Sequence, residues 1–261
     1  MLSQIWIVSA LCAGALAAPT LTYSAGSAEK PADMKILSDY FQMLGKKIQA
    51  GKNMAVAPVC NLDNAKMPAA SPTPLPDVTE GLFLKHVAIG RGTQNYTCDT
   101  KNATAIPVAT GALATLYNAS CVAASYPDLL AALPDVALQF NLTDVNQASL
   151  SPSNLVISGH HFFSNGTTPV FTLNSAGKDL GTAPCQKNAA VPAPAGTTKG
   201  QGNQGFGTVA WLKLTTRDGA TGGLQEVYRI NTAGGNPPTS CTGMPASFEV
   251  QYAAEYWFYA V

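Results

Sequence analysis

The chain of 261 residues is poor in charge, with Asp, Glu, Lys and Arg making up 11% of it, against roughly 25% in soluble globular proteins. Its 15 Lys plus Arg balance 15 Asp plus Glu, which leaves no basic footprint for nucleic acid or an anionic membrane. With 46% hydrophobic residues, 23 Gly and 18 Pro, a sizeable core joined by many turns is expected, and disorder and coiled coil are disfavoured.

Met1 to Ala18 carries no charge and holds an apolar run, Ile5 to Leu16, too short to cross a bilayer. Ala15, Ala17 and Ala18 before Pro19 fit a cleavage site, so residues 1–18 read as a signal peptide, though without the usual positive n-region. No later stretch reaches spanning length and no lipid-anchor signal ends the chain, so a secreted, extracellular protein is expected. Residues 19–80 read as a leader, a helix and a Pro-rich connection. Met34, Leu37, Tyr40, Phe41, Leu44 and Ile48 recur at helical steps and predict a helix over about 32–50 with that face docked. Lys46, Lys47 and Lys52 suit the dipole at its end. The stretch 58–76, with its Ser71-Pro-Thr-Pro-Leu-Pro76 run, reads as extended.

From Gly81 the pattern changes to short β-type runs separated by Gly, Pro, Asn and Asp. Strands are expected near 82–89, 93–98, 105–109, 111–118, 155–163, 169–173, 207–216, 224–231 and 248–259, with a helical insertion over Tyr126 to Leu133. Asn188 to Gly205 reads as a surface loop. The fold class is mainly β: a single antiparallel β-sandwich or barrel-like domain over 81–261, with an N-terminal helical extension.

Five N-glycosylation sequons, at Asn95, Asn102, Asn118, Asn141 and Asn165, suit a glycoprotein of the eukaryotic secretory route. A glycan on Asn95 must face water, so Gln94, Tyr96 and Cys98 on alternate positions should face inward. The same phase at Asn118 turns Tyr117, Ala119 and Cys121 inward. Once Cys12 leaves with the signal peptide, Cys60, Cys98, Cys121, Cys185 and Cys241 remain. Two disulfides and one free or intermolecular thiol are expected, with the pairing open; a bond between the inward Cys98 and Cys121 is one option.

Gly200-x-Gly202-x-x-Gly205 has the form of a dinucleotide fingerprint, but it lies between a Pro/Ala loop and a strand rather than opening a helix. Gly90-Arg-Gly92 lies between two expected strands and lacks the third glycine. No nicotinamide or other cofactor is expected. A metal site would need His86 with His160 or His161 and a carboxylate such as Glu255, a spacing that nothing demands, so none is expected. No G-x-S-x-G elbow is present, and Ser158 with His160 makes no triad. Glu255 stands out among aromatics in Val250 to Tyr259. Alternation puts Tyr252, Ala254, Tyr256 and Phe258 on one face and Ala253, Glu255, Trp257 and Tyr259 on the other. An acid/base or sugar-binding role for Glu255 is weighed against an ion pair with Arg229 or Arg91, which is favoured because a buried charge needs a partner.

Five blocks carry a resemblance: His86 to Cys98, Gly159 to Phe163, Val209 to Leu214, Val227 to Pro238 and Val250 to Tyr259. Over about residues 75–261 the chain resembles the secreted domain-of-unknown-function 3455 family of filamentous fungi and bacteria. Fungal members are often labelled malate dehydrogenase, but no Rossmann unit supports that here. The resemblance puts His86, Gln94, Tyr96, Cys98, His161, Trp211, Arg229, Thr232, Gly234, Gly235, Cys241, Tyr252 and Glu255 at characteristic positions. It implies His161 rather than His160 as the functional histidine, a disulfide between Cys98 and Cys241, and one between Cys60 and Cys121.

The expected function is that of an extracellular or cell-wall-associated binding module for a glycan or small molecule, with His86, Gln94, Tyr96, Trp211, Arg229 and Tyr252 as ligand-binding candidates. The alternative is a glycan-acting hydrolase or lyase with His161 and Glu255 as acid and base. It requires His161, Glu255, Tyr96 and Arg229 to converge on one cleft within hydrogen-bond reach.

Overall fold

The computed structural model describes residues 32–54, 58–69, 73–102, 104–142, 148–174 and 177–261; the expected signal peptide, Cys12 and nearly all of the leader lie outside them. The chain runs through α1 (Met34–Gly51), β1 (Phe83–Thr97), β2 (Val108–Asn118), α2 (Ser120–Ser125), α3 (Pro127–Leu138), β3 (Ser149–Leu150), β4 (Leu155–Ser164), β5 (Thr168–Thr172), β6 (Thr182–Val191), β7 (Trp211–Thr216), β8 (Leu224–Gly234) and β9 (Ser247–Ala260). The strand order is β2-β1-β9-β8-β7-β6-β5-β4, and β2 pairs with β4, which closes an eight-stranded antiparallel barrel. The short β3 adds to the edge of β4. We call the end where β1 finishes and β2 starts the upper end.

Two cores follow from the alternation of side chains along barrel strands. Inside, Phe171, Leu173, Ala183, Leu214, Leu224, Val227 and Phe258 fill the lower half. Outside, Val87, Ile89, Tyr117, Tyr228, Ile230 and Trp257 pack under the helices, where Leu130, Leu133 and Val136 of α3 cover them. Because helices cover its outer face, β9 is buried on both sides from Tyr252 to Ala260.

The glycines Gly90 and Gly92 do not interrupt a strand, as the sequence suggested; β1 is continuous through them. They are needed for close approach: a Cβ on Gly90 would collide with the Tyr256 ring, and one on Gly92 with the backbone of β2. The expected strands 105–109 and 111–118 are also one, β2. Strand β6 extends to Val191 through part of the expected loop, where Gln186, Lys187 and Asn188 are exposed and supply no apolar alternation. The expected insertion is two helices, α2 and α3, the second running through Pro134.

Helix α1 is capped by Asp33, whose carboxylate accepts from the Lys35 and Ile36 amides. Leu37, Tyr40 and Leu44 dock as expected, whereas Met34, Phe41 and Ile48 are exposed. Lys47 pairs with Asp128 at the start of α3, at 2.7 Å. The segment before β1 is strapped to the outer wall by a buried ion pair. Lys213 Nζ is 2.9 Å from Glu226 and donates to the Asp77 carbonyl, while Thr79 donates to Glu226 and Tyr228 to the Pro76 carbonyl. No helix among the described residues is long and apolar enough to cross a membrane.

Candidate functional site in the barrel interior

In the upper half of the barrel the interior positions turn polar. Two cross-strand rows define the place. One runs Ala190, Leu212, Arg229, Tyr256, Ala88 across β6, β7, β8, β9 and β1. The other runs Tyr252, Gly92, Ala114, His161, Phe171, Ala183. Residues in register share a face, so Arg229, Tyr256, Tyr252 and His161 look into the same interior, with Gln94 and Tyr96 one and two inward steps above Gly92 on β1.

The hydrogen bonds there are partly complete. Tyr252 and Tyr256 join hydroxyls at 2.9 Å, and the Tyr96 hydroxyl donates to the Gly235 carbonyl at 2.8 Å. His161 Nδ1 donates to the Val170 carbonyl at 3.0 Å and its ring stacks on Phe171 at 4.2 Å, which leaves Nε2 as the acceptor nitrogen. Arg229 gives Nη2 to the Ala210 carbonyl at 2.9 Å, and its charge acts on Tyr96, His161, Tyr252 and Tyr256. Two buried donors remain without a hydrogen-bond partner, Arg229 Nε and Gln94 Nε2. The Gln94 amide lies beside the Tyr252 hydroxyl, but Nε2 is not in bonding geometry with it.

Burial sets the charge states. It pushes His161 down to about 4, with Arg229 adding to the effect, so the imidazole is neutral at pH 7. It pushes the Tyr96 phenol up to about 12 and the Tyr252 and Tyr256 phenols upward. Arg229 makes no ion pair among the described residues.

Access is from the side. Strands β5 and β6 pair only from Val170 with Pro184 to Thr172 with Thr182, although β5 continues up to Thr168 and β6 up to Val191. Above Val170 the two part. Along the Arg229 row, exposure falls inward from this gap: Ala190 is exposed, Leu212 and Arg229 are half-buried, and Tyr256 and Ala88 are buried. Over the top, Gly234 and Gly235 adopt positive φ, 65° and 95°, and a Cβ on Gly235 would lie 2.9 Å from Tyr252 Cβ. Thr232 fixes this turn by donating to the Val209 carbonyl at 2.7 Å. The disulfide between Cys98 and Cys241 anchors the following loop to the end of β1.

Other candidates lie elsewhere. Glu255 is on the outer face of β9, with no exposure, so the barrel wall separates it from His161 and the proposed acid/base pair does not converge. The expected ion pair with Arg229 or Arg91 is also absent. The Asn231 amide donates to Glu255 Oε1 and the Trp257 indole to Oε2, each at 2.8 Å, and burial raises the carboxyl to about 7. Arg91 is spent on the carbonyls of Ala137, Phe140, Gly92 and Tyr252 and on the Gln251 side chain. Trp211 belongs to the outer core.

His86 sits toward the lower end between two hydroxyls, Ser158 Oγ at 2.9 Å from Nε2 and Ser120 Oγ at 3.0 Å from Nδ1. Burial pushes it down to about 4. No carboxylate among the described residues bonds to His86, so this Ser/His contact lacks the third group that orients a catalytic base. No group of three metal-ligating side chains occurs among the described residues. The glycine-rich loop is a short 3-10 turn, Gln201–Asn203, pinned to the end of α3 by Gln139, whose Oε1 accepts from the Gly202 amide at 2.8 Å.

Cys60 is joined to Cys121 and Cys98 to Cys241, while Cys185 is free and buried. Cys121 sits exposed in α2, not inward on a strand. Asn102, Asn118, Asn141 and Asn165 are exposed and Asn95 is half-buried. Tyr256, which the sequence placed on the right face, was not singled out as a site residue; its position two steps from Tyr252 on an alternating strand was the signal.

The family model described as Protein of unknown function (DUF3455) matches residues 79–260, and the chain belongs to that family. No curated protein and no solved structure matches it.

Proposed function

We propose that this DUF3455 protein is an extracellular binding module that takes a small polar ligand into the upper half of its barrel. The observation that carries the reading is the pair of buried, unpartnered donors, Arg229 Nε and Gln94 Nε2. A buried donor left without an acceptor costs about 1–3 kcal/mol, and the oxygen atoms of a ligand entering the upper interior would complement donors of this kind. Two disulfides, the apolar start and the five sequons support an oxidising, extracellular setting.

The separation of His161 from Glu255 by the barrel wall removes the support for an acid/base hydrolase or lyase. The malate dehydrogenase label gains none either, since all strand pairings among the described residues are antiparallel and a dinucleotide fold needs a parallel βαβ unit. The test is isothermal calorimetry of the secreted protein with a panel of monosaccharides, sugar acids and short organic acids. Saturable heat that Gln94→Leu weakens at least tenfold, without product release in any mixture, is the expected result. Turnover of any bound compound overturns the reading.

A further inference from the structure

Resting on that reading, we propose that the ligand is a small monocarboxylate, held by Arg229 as its charge anchor with the Gln94 amide as a second donor. Arg229 is the cation drawn into this interior and no anion among the described residues accompanies it; Lys187 of β6, in register with the inward Leu214, is exposed. The other polar side chains of the interior are Gln94, His161 and the phenols of Tyr96, Tyr252 and Tyr256. The guanidinium donates to the Ala210 carbonyl and reaches the Tyr256 hydroxyl, while its Nε is buried without a partner. Planar guanidinium forks match carboxylate oxygens, and such charge-assisted bonds are roughly twice as strong as neutral ones.

Charge and donor number both favour a carboxylate. A single guanidinium neutralises a monoanion, whereas a phosphate dianion would enter with an unbalanced charge, which a low-dielectric interior penalises. A neutral sugar would leave the cation uncompensated. Size is bounded by the packing. Tyr256 presses against Gly90 so closely that no Cβ fits there, and Phe171 stacked under His161 closes the lower side. The side of Arg229 that opens outward is therefore the gap between β5 and β6, where Ala190 of its row is exposed.

The experiment is calorimetry with acetate, glycolate and glucuronate set against glucose and inorganic phosphate. It uses the wild type, Arg229→Gln, Arg229→Lys and Gln94→Leu, each checked for folding by its thermal transition. Expected are saturable binding of at least one carboxylate, a loss of at least tenfold in Arg229→Gln, a smaller loss in Arg229→Lys, and weakening by added salt. Should Arg229→Gln fail to fold, glucuronate must raise the wild-type Tm where equimolar glucose does not. Equal binding of glucose and glucuronate, or tighter binding of phosphate, overturns the carboxylate while leaving a ligand-binding barrel in place. Binding that neither Arg229→Gln nor Gln94→Leu alters, or no binding by any probe, overturns both.

Discussion

Glu255 has no exposure and no cation; two neutral donors, Asn231 and Trp257, hold it. A carboxyl in that setting folds most favourably when protonated. Its value rises from 4.5 unfolded to about 7 folded, so its contribution to stability is whole below about pH 4.5 and is lost as pH climbs through 7. The full swing is on the order of 3 kcal/mol. His86 and His161 act with the opposite sign: both are depressed from 6.5 to about 4, so the stability they give is whole above 6.5 and lost as pH falls toward 4. Glu255→Gln, which keeps the shape and removes the charge, should therefore gain on the wild type by roughly 3 kcal/mol between pH 4.5 and 7.5, measured by urea unfolding at several pH values. A gap between the two proteins that does not change with pH would show that Glu255 titrates as an ordinary surface carboxyl. At the same scale, Gly90→Ala must displace Tyr256, and overpacking of this kind costs about 1–3 kcal/mol. Urea unfolding should show that loss, and calorimetry should show weaker carboxylate binding, because the displaced ring faces Arg229.

At the scale of elements, Arg91 fastens α3 to the barrel. From β1 its guanidinium reaches the Ala137 and Phe140 carbonyls at the end of α3 and the Tyr252 carbonyl of β9. A helix C-terminus is where a cation is favoured. Arg91→Met keeps much of the volume but leaves those carbonyls buried without donors; a loss of about 3 kcal/mol is expected. Hydrogen exchange should accelerate first in 127–138, and uniform acceleration across the barrel would contradict a local clamp. The same elements show what a sequence can and cannot reveal. Alternation marked both faces of β9 correctly, yet did not say which face was the inside, because helices bury the outer one as deeply as the barrel buries the inner. Glu255 and Arg229 therefore looked like partners when a strand's thickness separates them. The phase set by Asn95 did turn Gln94 and Tyr96 inward, since there the outer face is wetter. Strand β6 was obscured because its upper half is open on both sides, and the glycines of β1 read as a break when their role is contact.

At the scale of the whole molecule, the free thiol of Cys185 reports on the barrel as a unit. Cys185 lies inside, donates to the Ala183 carbonyl at 3.4 Å and has no exposure; burial raises the thiol to about 12. It is therefore inert while the barrel is closed, and burial rules out the intermolecular pairing that an odd cysteine count allows. Its labelling rate measures opening of the wall formed by β5, β6 and β7. The disulfide joins Cys98 to Cys241 across a sequence separation of 143, a loop for which cross-linking contributes on the order of 5 kcal/mol by the chain-entropy estimate. The bond from Cys60 to Cys121 ties the segment after α1 to α2, outside the barrel. Replacing Cys98 and Cys241 by Ser should accelerate alkylation of Cys185 by orders of magnitude in native buffer, because whole-barrel opening becomes accessible. Replacing Cys60 and Cys121 should leave that rate within a few-fold and speed hydrogen exchange in α1 instead. Equal acceleration of Cys185 labelling by the two replacements would mean that helices and barrel unfold as one cooperative unit, with no separable outer layer.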